Sequence, residues 1–215
     1  MVEKIISKHN LVIDNFLCAP VVKDIKTERK IHLIKSLQNS TANGAILEFG
    51  VYTGSTINII AEYFTDKTVF GFDSFEGLPE NWVTKKDSQK IKYTKGFFHL
   101  QTLPNVKNNV KLIKGYFEET LPQWLQSNNE NIKLLHIDCD LYSSTKTIFE
   151  YLNNRIVKET VIIFDELYHW EKPKKYSNWE NGEWKALKEW IQKYDRKIQI
   201  LHRNRHMQCA VRVLE

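Results

Sequence analysis

The sequence predicts an α/β fold, a doubly wound and mostly parallel sheet closed by an antiparallel strand, on three observations. Short, almost continuously apolar runs alternate with amphipathic helical patterns from Ala45 onward. The first of these runs opens into two glycines, two hydroxyl residues and a helical pattern, in the segment Leu47-Glu48-Phe49-Gly50-Val51-Tyr52-Thr53-Gly54-Ser55-Thr56. The last two strand-like runs, Lys197 to His202 and Gln208 to Leu214, are joined by a link too short for a crossover. Strand–helix alternation implies parallel strands with helices on both faces. A short link makes the strands it joins antiparallel.

In chain order, residues 1–44 read as a helical cap, with Ile31, Ile34 and Leu37 at helical spacing and Asn43-Gly44 as the stop. Residues 45–215 read as one domain. Its parallel strands are Ala45 to Phe49, Val69 to Phe72, Val110 to Ile113, Lys133 to Ile137 and Val161 to Phe164. Runs without polar alternation suit strands buried on both faces. Apolar residues at helical spacing mark the intervening helices, among them Phe117, Leu121, Trp124 and Leu125 in one and Trp184, Leu187, Ile191 and Tyr194 in another. Two stretches lack periodicity. Glu76 to Leu103 carries Trp82, Phe97 and Phe98, and Tyr168 to Asn181 carries His169, Trp170, Tyr176 and Trp179. Long irregular loops rich in aromatics read as functional.

Composition narrows the function classes. The net charge is +5, but no run of five or six Lys/Arg occurs, so no nucleic-acid footprint is expected. No apolar stretch approaches membrane-spanning length, and no signal-like N-terminus is evident. Cys18, Cys139 and Cys209 are odd in number and far apart, as expected for free thiols in the cytoplasm. The chain then reads as a cytoplasmic protein or a domain of a larger one, with homo-oligomer formation left open.

The glycine turn after the first strand places backbone N–H groups and a helix N-terminus around a nucleotide-like ligand. Tyr52 stands where a dinucleotide fold would place its second glycine, which crowds a pyrophosphate and favours a ligand without phosphates. Asp73, at the end of the second strand, can accept hydrogen bonds from ribose hydroxyls. Two acidic motifs follow: His136-Ile137-Asp138-Cys139-Asp140 and Ile163-Phe164-Asp165-Glu166, each at a strand's C-terminal end. Neighbouring parallel strands bring such ends to one edge, so Asp138, Asp165 and Glu166 converge there. Carboxylates that close raise one another's pKa unless a cation intervenes. Hard oxygen donors suit Mg²⁺ or Mn²⁺. Asp140 reads either as the cap of a helix starting near Tyr142 or as a base.

The segments LEFGVYTGST (47–56), FGFDSFEGLP (70–79), KGFF (95–98), LIKGYFEETLP (112–122), LHIDCDLYSST (135–145) and IIFDELYHW (162–170) resemble those of the macrocin-type (TylF/MycF-like) sugar O-methyltransferases, a family of class I S-adenosylmethionine-dependent methyltransferases. The resemblance covers roughly residues 45–214. It implies a Rossmann-like seven-stranded sheet and S-adenosylmethionine as cofactor. Glu48, Gly50 and Ser55 would line its methionine end, with Tyr52 and Thr53 in the same turn. Asp73 would hold the ribose with Ser74 nearby, Gly115, Tyr116 and Phe117 would flank the adenine, and Asp138 would border the cofactor. The resemblance further implies a divalent metal on Asp138, Asp165 and the following residue, commonly Asp in the family and Glu166 here.

The expected reaction is methyl transfer to the hydroxyl of a deoxyhexose such as rhamnose, in a small-molecule or glycan acceptor. Asp138 is the leading metal ligand and base, with Asp140 and His169 as other base candidates. Trp82, His169, Trp170, Tyr176 and Trp179 are candidate acceptor walls, two of which are expected to touch substrate. Competing readings are a catechol- or phenol-type O-methyltransferase, a dinucleotide-dependent oxidoreductase and a non-catalytic binding domain. Tyr52 and the terminal hairpin argue against the oxidoreductase, and the acidic cluster argues against the last.

Overall fold

The computed structural model describes residues 4–22, 28–85 and 90–215. The elements in chain order are β1 (Ile5–Ile6), α1 (Asp14–Leu17), α2 (Glu28–Gln38), β2 (Ala45–Phe49), α3 (Ser55–Tyr63), β3 (Val69–Asp73), β4 (Trp82–Lys85), β5 (Lys90–Tyr93), β6 (Val110–Lys114), α4 (Phe117–Ser127), β7 (Ile132–Ile137), α5 (Tyr142–Leu152), β8 (Ile156–Phe164), α6 (Glu183–Tyr194), β9 (Ile198–Arg203) and β10 (Cys209–Val213). Eight strands form one sheet in the order β1-β9-β10-β8-β7-β2-β3-β6, and β4 pairs with β5 apart from it.

The five central strands are parallel, and β10 runs antiparallel to both β8 and β9. The chain winds from β2 outward through β3 to β6, then crosses back to β7 and β8. The strand order therefore reverses between β2 and β7, the place where such sheets open a ligand crevice. Alternate residues of the central strands face opposite sides. Leu47, Phe49, Leu135, Ile137, Ile162 and Phe164 pack in one cluster, beneath α4, α5 and α6. Ile46, Leu134, Val161 and Ile163 pack in a second, against Leu33 and Leu37 of α2 and Ile57 and Ile60 of α3.

Two expectations differ from the structure. The sheet has eight strands rather than seven, because Ile5–Ile6 pairs antiparallel with β9. Among the described residues of the first 44, helix covers Asp14–Leu17 and Glu28–Gln38, and Ile5–Ile6 is strand rather than helix. The adjacent β-branched pair at Ile5–Ile6 meets the free edge of β9, and that pairing overrides helical continuation. Gly44 lies past the end of α2, at φ 140°. The stretch from Glu76 to Leu103, read as irregular, contains the β4–β5 hairpin, whose residues 86–89 lie outside the described ones. Tyr168 to Asn181 forms two short 3₁₀ turns, Pro173–Tyr176 and Trp179–Asn181. Among the described residues no helix is long and apolar enough to cross a membrane.

Candidate active site

A cavity of about 490 Å³ opens at the C-terminal ends of β2, β3, β7 and β8. The β2–α3 turn forms one wall. Gly50 has φ 90°, and a Cβ there would stand 1.8 Å from the Asp138 carbonyl oxygen. Only glycine lets β2 turn this close to the end of β7, where Asp138 N–H donates to Phe49 O. Asp73 fixes the turn from the neighbouring strand: its carboxylate accepts from the backbone N–H groups of Val51, Tyr52 and Phe75 at 2.8, 2.8 and 2.7 Å. Ser74 Oγ donates to Gly77 O and closes the next loop.

Of the residues expected around a cofactor, Gly50, Tyr52, Thr53, Ser55, Asp73, Ser74, Tyr116, Phe117 and Asp138 line the cavity. Glu48 and Gly115 do not. Glu48 is fully buried beneath the turn, where it accepts from Thr56 Oγ1 at 2.9 Å and from His136 Nδ1 at 3.0 Å. Burial alone would lower the His136 pKa, but hydrogen bonds to Asp165 and Glu48 outweigh it and raise the value to about 10. His136 is therefore a cation that locks β2 to β7.

Six carboxylates line the cavity: Asp73, Glu118, Asp138, Asp140, Asp165 and Glu166. Arg29 is the only lysine or arginine among the described lining residues. It reaches in from the first turn of α2, and its Nη2 lies 2.6 Å from Asp138 Oδ2 and 2.7 Å from Asp165 Oδ2. Burial and the charge of Asp165 push the Asp138 carboxyl well above the usual carboxylate range. Asp165 is also buried, but its bond to His136 and the charge of Arg29 hold it below that range. Glu166 is buried with Oε2 unpartnered, and burial with the charge of Asp165 pushes it upward.

The donor set fits a divalent cation. Asp138 and Asp165 already face one cationic atom together, and Glu166 presents an orphaned oxygen at the same cavity. The group whose ligand atoms lie within 4.8 Å of one another is His136, Asp138 and Asp165, not the expected trio with Glu166. His136 is bonded through Nδ1 to Glu48, and Asp138 and Asp165 form the acidic core of such a site.

The N-cap of α5 is Leu141, and Asp140, one position before it, lines the cavity with φ 64°. The expected acceptor walls divide. Trp82 lines the cavity; His169, Trp170, Tyr176 and Trp179 do not. His169 Nδ1 accepts from Lys172 N–H, Trp170 Nε1 donates to Gln208 O, Tyr176 packs edge-on against Trp82, and Trp179 packs against Tyr168 and Trp184. The aromatic wall instead runs through Trp82, Tyr93, Phe98 and Tyr52, with successive ring centroids 5.8, 4.9 and 5.2 Å apart. Sequence reasoning missed Arg29, Tyr93, Phe98 and Glu183. Glu183 is buried at the start of α6 and accepts from Glu166 N–H at 3.2 Å.

The family model described as Macrocin-O-methyltransferase (TylF) matches residues 26–197. It begins inside the segment read as a cap and stops before the terminal hairpin. No curated protein matches the sequence. Among solved structures, the fold is similar to that of CalS11, titled calicheamicin methyltransferase, at 21% identity over 89% of this chain and 80% of that one, with TM-score 0.67. An apo structure titled CalS11, TDP-rhamnose 3'-O-methyltransferase, is similar at 20% identity, 89% and 81% coverage and TM-score 0.61. The O-methyltransferase NovP is similar at 19% identity, 86% and 80% coverage and TM-score 0.58.

Proposed function

The chain belongs to the macrocin O-methyltransferase family, and from that premise we propose that it transfers the methyl group of S-adenosylmethionine to a sugar hydroxyl, with a deoxyhexose of the rhamnose type as acceptor and a divalent cation at Asp138 and Asp165. The reading is carried by one observation: the Gly50–Ser55 turn and the paired aspartates share a single cavity. The match to CalS11, titled a TDP-rhamnose 3'-O-methyltransferase, supports the choice of acceptor.

In this reading the donor lies along Gly50, Thr53, Ser55 and Asp73, with Tyr116 and Phe117 beside its base. Asp73 retains lone pairs beyond the three backbone bonds it accepts, and these face the ribose. Bound S-adenosylmethionine would supply an already activated methyl group, and a divalent cation held by Asp138 and Asp165, with Glu166 adjoining, would lower the pKa of the acceptor hydroxyl. Asp138, at the end of β7 on the cavity wall, is placed to accept the hydroxyl proton. Trp82, Tyr93, Phe98 and Tyr52 pack against the acceptor's C–H face and exclude water. His169 has no part in the chemistry.

Calorimetry tests the donor: S-adenosylhomocysteine binds and NAD does not, and the opposite result removes the reading. An acceptor screen with labelled S-adenosylmethionine over rhamnose-type glycosides and catechols tests the rest, with turnover lost to a chelator and restored by Mn²⁺. Label appearing only in catechols would replace the sugar with a phenol.

A further inference from the structure

We propose that Arg29 and a divalent metal ion are mutually exclusive occupants of the Asp138–Asp165 pair, so that the ion binds only as the guanidinium withdraws. The inference rests on the metal reading above and adds a competitor that belongs to the chain itself.

Three observations carry it. Arg29 Nη2 stands between the two carboxylates, 2.6 and 2.7 Å from their Oδ2 atoms, on the locus an ion bridging them would take. An ion at a carboxylate distance of about 2.1 Å leaves no room there for a guanidinium, and two cations in contact repel. Second, the position cannot simply be vacated. Asp165 is buried, and removing its cation without replacement leaves two carboxylates facing each other in a water-poor wall. His136 cannot move across to help. It is fully engaged on the other side of Asp165, with Nε2 3.8 Å from Oδ1 and Nδ1 on Glu48. Departure of the arginine and arrival of the ion are thus one exchange.

Third, the arginine has somewhere to go. Its side chain is 53% exposed. It also lines an adjoining cavity of about 320 Å³, bordered by Lys30, His32 and Ile59 and sharing Ser55, Thr56 and Asp165 with the main one. Arg29 belongs to the first turn of α2, whereas the packed residues Leu33 and Leu37 lie further along the helix. The guanidinium can swing into the second cavity while the rest of α2 stays seated on the sheet.

The test is Mn²⁺ binding, read from the electron paramagnetic resonance signal of free Mn²⁺, on the wild-type chain, Arg29→Met and Arg29→Lys. Removing the internal competitor tightens Mn²⁺ binding by about tenfold or more in Arg29→Met. Arg29→Lys, whose shorter side chain brings a compact, strongly hydrated ammonium to the pair, falls between. Without Mn²⁺, Arg29→Met unfolds at a lower temperature than wild type, and Mn²⁺ raises its midpoint by the larger step. If Arg29→Met does not fold, the comparison of Arg29→Lys with wild type decides alone. Equal or weaker Mn²⁺ affinity in the folded variants overturns the exclusion and leaves the metal site standing. No binding to any of the three proteins overturns both.

Discussion

Asp138 is held between opposing influences: burial and Asp165 favour its proton, while Arg29 and His136 favour its charge. A carboxylate on the cavity wall beside the acceptor hydroxyl is placed to take its proton. Asp138→Asn should therefore lower kcat by about 10²-fold or more, with the far-ultraviolet circular dichroism spectrum unchanged. His169→Ala, on a side chain outside the cavity, should leave kcat within about twofold, as expected for a surface change away from the chemistry. A large loss in the second variant would return His169 to the base candidates. The aspartates were legible in the sequence because they end apolar runs, and parallel strands present their ends together. Arg29 was not. Its contact with Asp138 spans 109 positions, and an arginine in a helix's first turn gives no local sign of a distant partner. Glu183 was hidden by a plainer role, since an acid at a helix N-terminus reads as a dipole partner.

Among the elements, the parallel strands begin and end close to their expected limits, because burial on both faces leaves an unbroken apolar run that turns polar where the strand emerges. Val161 to Phe164 is the exception. The strand begins earlier, at buried Ile156, since Lys158 and Glu159 interrupt the apolar run before Val161. The two aromatic loops exchanged roles. Their composition was visible, but the direction of each ring depends on what the loop packs against. Trp170 donates to Gln208 O, Trp179 packs on Trp184 of α6 and Tyr176 packs against Trp82, whereas Tyr93 and Phe98 reach the cavity itself. Phe98→Ala should accordingly raise the acceptor KM by about tenfold, the scale of one lost aromatic contact, with the donor KM unchanged. Trp179→Ala should leave both KM values alone and lower the unfolding temperature. Steady-state kinetics with calorimetric melting separates the two outcomes.

For the whole molecule, a basic chain of net charge +5 encloses an acidic cavity, so bulk charge described its surface and not its site. Stability at acid pH should depend on His32 of α2 and His202 of β9, whose rings meet edge-on at 4.6 Å. Burial, with repulsion from His202, lowers His32 to about 3; burial, with Lys35 nearby, lowers His202 to about 4. The unfolded chain takes up both protons near the ordinary value of about 6.5 and the folded chain does not. The contribution of these two histidines to stability is therefore complete above about pH 6.5 and falls as the pH drops toward about 4, by about 1.4 kcal/mol per pH unit for each. Urea unfolding across this range should show a steeper decline in wild type than in His32→Phe; parallel curves would refute the assignment. The pairing of Ile5 with Gln199 also bears on how the protein is made. Strand β1 meets its partner only after β9, far along the sequence, has been translated. Until then the backbone of β1 has no ladder to join, so this edge of the sheet closes only once β9 has emerged.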